Sequence, residues 1–179
     1  MSFQIEKSFD FCYGHRVYTQ NLIDKNAQCT CRHLHGHNGR VTVRLSSDSL
    51  DQTGMVTDFK NLEFFKKILD DDFDHKMILG ADDPYLEYVL PKPCGLYCRR
   101  VYGEVVIRGL AFLGACEINA DLSCLREVSD GIIVIDRVPT SEVLAELFYK
   151  ILESECPTGV KVDSVSLSET GKSNATYFG

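Results

Sequence analysis

Apolar residues occupy every second position over two long stretches of the chain and recur at helical spacing over two others. In FQIEKSFDFCYGHRV, the odd positions Phe3, Ile5, Phe9, Phe11, Tyr13, His15 and Val17 form one row broken only by Lys7. Side chains two apart on a strand share a face, so the row predicts a half-buried strand with His15 on its apolar side. CTCRHLHGHNGRVTVRL behaves alike. Cys29, Cys31, His33, His35 and His37 share parity with Val41, Val43 and Leu45, while Asn38, Arg40, Thr42 and Arg44 take the other face. An unbroken strand here would turn His35 and His37 inward, where imidazoles need polar partners. Near the end of the chain, VSLSET sets Val165, Leu167 and Glu169 against Ser164, Ser166, Ser168 and Thr170. Glu169 is thus a carboxylate in line with core positions.

From Phe59, apolar residues at 59, 62, 65, 68 and 69 predict a helix through FKNLEFFKKILDDDF, capped by Asp58. VPTSEVLAELFYKILESE predicts a second, with Thr140 or Ser141 as cap, Glu142 in the first turn, and Val143, Leu144, Leu147, Phe148 and Ile151 as the stripe. Pro157-Thr158-Gly159 ends it. Between Gly80 and Val138 only the short β-rich pieces EVVI (104–107) and IIVI (132–135) stand out among Gly and Pro. No internal repeat, low-complexity tract or long linker divides the chain. Strands with two amphipathic helices, without regular βαβ alternation, imply an α+β fold with helices on one face of an antiparallel sheet.

The 179 residues, 44% hydrophobic and 25% charged, fit one globular domain with a sizeable core. A net charge of −7 argues against a nucleic-acid partner held by phosphate neutralisation, although local Lys or Arg can still hold a small anionic substrate. No apolar run nears the ~18 residues of a membrane span. Met1-Ser2-Phe3-Gln4 opens no signal peptide, so no membrane association and a cytoplasmic location are expected. Without an export signal, the eight cysteines read as thiols, catalytic groups or metal ligands rather than a disulfide framework. Cys12, Cys116, Cys124 and Cys156 are expected to be buried apolar thiols.

The five histidines stand at 15, 33, 35, 37 and 75. His35-Gly36-His37 offers two nitrogens on one strand face and His15 a third. Three neutral imidazoles with an open fourth position make a catalytic zinc centre, and Gly36 is expected to clear bulk beside the metal. In Asp74-His75 the carboxylate can orient the ring and stabilise its charged form, as proton transfer requires. The same pair also suits an ordinary surface loop, and Glu169 also suits a core-edge carboxylate satisfied by backbone or Arg. A reading of another class joins Cys29, Cys31, Cys94 and Cys98 into a closed structural zinc site. Its C-x-C and C-x3-C spacings differ from the commoner C-x2-C, and it leaves the histidines and Glu169 unexplained.

Taken together, FDFCYGHR, CRHLHGHNGRVTV, GMVTDFKNL, FDHKMIL, PTSEVLAELFYKIL and VSLSET resemble the 6-pyruvoyltetrahydropterin synthase / 6-carboxytetrahydropterin synthase family of the tunnelling fold (T-fold). The resemblance covers roughly residues 3–80 and 136–171. It implies a four-stranded antiparallel sheet with two helices on one face, in a single domain over 1–179 with an insertion at about 81–137. It also implies a homohexamer or other homo-oligomer with active sites between subunits. By the same resemblance, zinc sits on His15, His35 and His37, a cysteine before HGH is the general base, and Asp74-His75 relays a proton. Glu169 anchors the pterin's aminopyrimidinone ring, with Thr140 and Ser141 also against the pterin. Family members act on 7,8-dihydroneopterin triphosphate.

Two cysteines compete for the role of base. Cys31 gives the C-x3-HGH spacing typical of carboxytetrahydropterin synthases, and Cys29 the C-x5-HGH spacing typical of pyruvoyl synthases. Along an extended chain Cys31 lies within ~14 Å of His35 and Cys29 within ~20 Å, so Cys31 is the expected base. The C-x3-HGH match and the PTSE segment favour a zinc-dependent 6-carboxy-5,6,7,8-tetrahydropterin synthase. That activity is a carbon–carbon lyase releasing acetaldehyde and triphosphate on the route to 7-deazaguanine nucleosides such as queuosine. The alternative is a 6-pyruvoyltetrahydropterin synthase, a phosphorus–oxygen lyase that eliminates triphosphate and loses no carbon.

Overall fold

The two alternating stretches become one long antiparallel pair. In the computed structural model, which describes residues 2–22, 24, 29–89, 94–112, 127–156 and 158–179, β1 (Phe3–His15) pairs with β2 (His35–Ser47) from Phe3 opposite Ser47 to His15 opposite His35. The odd row of β1 and the Val41, Val43, Leu45 row of β2 face a common core. Lys7, the break in that row, spans to the first helix: its Nζ donates to the Phe59 carbonyl at 2.9 Å and to Glu63 at 2.7 Å.

Asp58 caps a 3-10 turn (Phe59–Leu62) by accepting from the Lys60 N–H at 2.8 Å, and the chain continues as α1 (Glu63–Asp72). Thr140 is the cap of the second long helix, its Oγ1 accepting from the Val143 N–H at 3.3 Å. Between these helices lie β3 (Lys76–Gly80), α2 (Leu86–Val89), β4 (Cys94–Tyr102), β5 (Val105–Phe112) and β6 (Ile132–Ile135). The long helix, α3 (Ser141–Glu155), is followed by β7 (Lys161–Thr170) and β8 (Ser173–Phe178). The α1 residues Phe65, Ile68 and Leu69 and the α3 residues Leu144, Leu147, Phe148 and Ile151 bury one face of the sheet in a single cluster. Phe148 is its centre, edge-on to Phe11, Phe65 and Phe73 at 5.8, 5.9 and 4.9 Å.

The α+β class and the placing of the two long helices on one face agree with expectation, but the short α2 packs through Leu86 on the other face and the sheet is larger than expected. The expected four-stranded antiparallel unit is present as β1-β2-β7-β8, but it forms half of an eight-stranded mixed sheet ordered β4-β5-β6-β3-β1-β2-β7-β8. The free edge of β1 accepts β3 in parallel, Tyr13–His15 against Lys76–Ile78, and β3 accepts β6 in parallel. IIVI is apolar without alternation because β6 is covered on both faces. Ile133 and Ile135 enter the main core, while Ile132 and Val134 join Leu79, Leu86 and Leu110 in a second cluster on the opposite face.

Three local expectations also change. Residues 29–34 do not continue β2: Thr30–Arg32 form a 3-10 turn, so Cys29, Cys31 and His33 are not aligned with His35 by strand alternation. Cys12 is exposed rather than buried because it takes the even, solvent-facing parity of β1; Cys156 is half-buried, and Cys116 and Cys124 lie outside the described residues. Gly36 lies off the histidine face. A Cβ there would meet the Tyr13 carbonyl oxygen at 3.2 Å, so the glycine permits close strand approach rather than clearing a metal site.

The outer strands are tied to α1 through Asp72, which is 1% exposed. It accepts from Arg99 Nε at 3.0 Å and from the Tyr102 hydroxyl at 2.8 Å, with Arg100 Nε at 3.7 Å. Asp72→Ala strands these donors and should cost about 3 kcal/mol, the low end for breaking a buried pair because both arginines keep solvent contact. In urea unfolding the midpoint should fall with little change in slope; an unchanged midpoint would show that β4 is held by other contacts.

Candidate active site

Strand register assembles three histidines. His15 stands directly opposite His35, and His37 is opposite Tyr13, one pair further along the same face. The His15 Nε2 lies 3.0 Å from His35 Nε2 and 3.1 Å from His37 Nε2. His15 is 1% exposed, and the other two are half-buried.

Backbone carbonyls select the ring tautomers. His15 Nδ1 donates to the Pro139 carbonyl at 2.6 Å, and His35 Nδ1 donates to the His33 carbonyl at 2.8 Å. Carbonyls only accept, so both Nδ1 atoms carry a proton, and in the neutral form of each ring Nε2 presents a lone pair. Two lone pairs then face each other across 3.0 Å. A shared cation resolves that repulsion, and the carbonyl partners are the outer contacts that orient histidine ligands. Burial, followed by the neighbouring His35 and His37, pushes His15 down to about 4 against the opposing effect of the Pro139 bond. His37 is lowered mainly by burial, partly offset by Glu169. Neutral, convergent imidazoles fit a metal ion, and the three donor nitrogens lie within 4.8 Å of one another.

Glu169 reaches the same place from β7. Its carboxylate oxygens are 3.8 Å from His15 Nε2 and 4.0 Å from His37 Nε2, with a quarter of the side chain exposed. Cys31 lies nearby on the 3-10 turn. Burial, then Cys29, then Glu169 push its thiol up from the ordinary value. The Cys29 Sγ donates to Gln20 Oε1 at 2.5 Å. Thr140 spends its hydroxyl on the helix cap, while Ser141 begins α3; their segment meets the histidines through the carbonyl of Pro139.

Asp74 and His75 form a separate unit on the β3 side of β1. Asp74 accepts from the Cys12 N–H at 2.6 Å and from His75 Nδ1 at 2.8 Å, while the His75 N–H donates to the Cys12 carbonyl at 2.6 Å. Burial opposes ionisation of Asp74, but the Cys12 and His75 bonds outweigh it and hold the carboxyl below its usual value. His75 has φ of 57°, an uncommon conformation for a non-glycine residue and one that concentrates at functional sites. It lines a hollow of about 550 Å³ with Cys12, Gly14, Gly36 and Met77, bordered also by His35 and His37. Among the described residues, no hydrogen bond or ring contact joins His75 to the three histidines or to Cys31.

The thiolate alternative fails on topology. Cys98 is exposed on β4, with Sγ against the Arg100 carbonyl at 3.9 Å. Four strand spacings of ~4.8 Å separate β4 from β1, too far for Cys29 and Cys31 to share a metal with it. The Cys94 side chain lies outside the described residues. Sequence reasoning missed the two carbonyls and Tyr13. Tyr13 is 3% exposed, lies 5.3 Å from the His15 ring and 5.7 Å from the His37 ring, and has a buried hydroxyl without a hydrogen-bond partner among the described residues. Its place in the apolar row concealed it.

The fold is thus an α+β sheet carrying three convergent imidazoles and a carboxylate, a site that could hold a metal ion, and comparison with known proteins supplies its family. The profile of the family described as 6-pyruvoyl tetrahydropterin synthase matches residues 4–179. The chain belongs to that family. It is 31% identical over 193 residues to the 6-carboxy-5,6,7,8-tetrahydropterin synthase of Aquifex aeolicus, covering 99% of this chain and 98% of the relative. An uncharacterized protein of Wolinella succinogenes has a similar structure, with TM-score 0.86 and 39% identity over 99% of this chain and 98% of the other. The 6-pyruvoyltetrahydropterin synthase of Plasmodium vivax shares the fold at TM-score 0.57 and 19% identity, over 99% and 97% of the two chains. Among the described residues, no helix is long and apolar enough to cross a membrane.

Replacing His15, His35 or His37 by alanine should each lower bound metal while the fold persists, as measured by elemental analysis and circular dichroism. Full metal content in one variant would remove that residue from the ligand set. In the metal-free protein, the sign of the His15 effect is set by its lowered value. The unfolded chain takes up a proton near 6.5 and the folded chain only near 4, so stability is present above pH 6.5 and lost as pH falls toward 4. His15→Ala should flatten the pH dependence of the melting temperature in that window.

Proposed function

We propose that this chain is a zinc-dependent 6-carboxy-5,6,7,8-tetrahydropterin synthase acting on 7,8-dihydroneopterin triphosphate in 7-deazaguanine (queuosine) biosynthesis. The observation that carries the reading is the convergence of three imidazole Nε2 atoms with Glu169 4.0 Å or less from two of them. The near full-length similarity to the Aquifex aeolicus protein supports the choice of product.

Three nitrogen donors with an open position suit zinc. Zinc bound there supplies Lewis acidity toward a side-chain oxygen of the substrate and the positive charge that a Cys31 thiolate needs. Glu169 accepts from the N–H groups of the aminopyrimidinone ring and so holds the pterin against the histidines, with Thr140 and Ser141 beside it. Cys31 takes the proton from the side chain, and His75, oriented by Asp74, returns one. The dyad contacts Cys12 and not Cys31, which supports sites shared between subunits of a homohexamer or other homo-oligomer. In this reading residues 1–179 are one T-fold domain whose insertion at about 81–137 extends the sheet, and the enzyme works in the cytoplasm.

Cys29 favours a second reading, the 6-pyruvoyl synthase. The two thiols interact, so the C-x5-HGH cysteine stands beside the C-x3-HGH one. Incubation with 7,8-dihydroneopterin triphosphate and mass analysis of the product separates the readings: acetaldehyde with a carboxypterin is expected, and a pyruvoyl product would select the alternative. Cys31→Ala should lose nearly all turnover yet keep its metal, while Cys29→Ala keeps most activity. Glu169→Gln should weaken substrate binding sharply with little change in melting temperature; the opposite pattern would make Glu169 a structural carboxylate.

A further inference from the structure

Tyr13 presents a polar group at the site that none of these roles uses. Its hydroxyl is buried and, among the described residues, has no hydrogen-bond partner, an arrangement native proteins seldom keep without a reason. A phenylalanine would fill the same space without that cost.

The direction of the ring is set by Gly39. A Cβ at Gly39 would fall 2.7 Å from Tyr13 Cε1 and 3.2 Å from its Cδ1, so the tyrosine lies across β2 in the room the glycine leaves. Arg40, the residue after Gly39, pairs with Ser168, the residue before Glu169. The ring therefore lies over β2, between β1 and the strand that carries Glu169. Phe11 stacks on the ring at 4.9 Å, and His15 and His37 flank it, which leaves it little freedom to turn away. A tyrosine hydroxyl carries its proton at neutral pH and is a donor. The Glu169 carboxylate itself stands 3.8 Å from His15 Nε2 and 4.0 Å from His37 Nε2, the two rings that flank the phenol.

We propose that Tyr13 is a positioning residue for Glu169: when a pterin ring occupies the site, the carboxylate accepts from the ligand on one side and from the Tyr13 O–H on the other. The second bond fixes the rotamer in which both carboxylate oxygens meet the ligand's N–H groups. The inference rests on the pterin reading above. It also accounts for the unpartnered hydroxyl, which gains its partner only in the bound state.

The test is Tyr13→Phe in the metal-loaded protein, titrated calorimetrically with 7,8-dihydroneopterin alongside the unaltered chain. A charge-assisted hydrogen bond predicts that Kd rises by about tenfold. The melting temperature of the ligand-free variant should stay the same or rise. KM for 7,8-dihydroneopterin triphosphate should rise by more than kcat falls. Equal affinity in the two proteins, or weaker binding accompanied by a lower ligand-free melting temperature, would overturn the assignment. Failure of the unaltered protein to bind 7,8-dihydroneopterin would overturn the pterin reading itself.

Discussion

The thirteen-pair register between β1 and β2 is the constraint on which the site depends. It places His15 across from His35, Tyr13 across from His37, and Phe11 across from Gly39. Because side-chain direction has a period of two, a slip of one residue would turn each of these groups to the other face. The apolar rows that share the parity of the histidines prevent such a slip, since it would expose Phe9, Phe11, Val41 and Val43 together. Core burial and site geometry are thus enforced by the same alternation.

What the strands bring together, carbonyls orient. The Pro139 and His33 carbonyls each accept from an Nδ1–H, which leaves Nε2 of each neutral ring as the free nitrogen. Pro139 precedes Thr140, the cap of α3, and α3 is packed through Phe148 and its neighbours onto the sheet. The position of a metal donor is therefore coupled to helix packing several residues away. Small displacements of α3 would be felt at His15 through a 2.6 Å bond.

The strands beyond β3 give the protein its individual shape. Parallel pairing of β3 with β1 brings Asp74 and His75 against Cys12, while β6, β5 and β4 continue the sheet away from the histidines. Asp72 joins that extension to α1, two residues before the Asp74-His75 pair. The extension is thus anchored at the same helix end that presents the dyad.

The sequence alone determined the strands β1 and β2, the two long helices with their caps Asp58 and Thr140, and the parity that points His15, His35, His37 and Glu169 inward. Those features rest on local periodicity and capping chemistry, which act within a few residues. Strands β3, β4 and β8 escaped notice because none has a clear run of alternating apolar residues, and IIVI revealed a strand without revealing its neighbours. Only the tertiary structure decided the order of the eight strands, the separation of Asp74-His75 from Cys31, and the carbonyls that set the histidine tautomers. Each of these depends on contacts between segments far apart in the chain. Tyr13 shows the limit most sharply: its parity announced a core aromatic, but the space over Gly39 that its ring takes exists only once β1 and β2 are side by side.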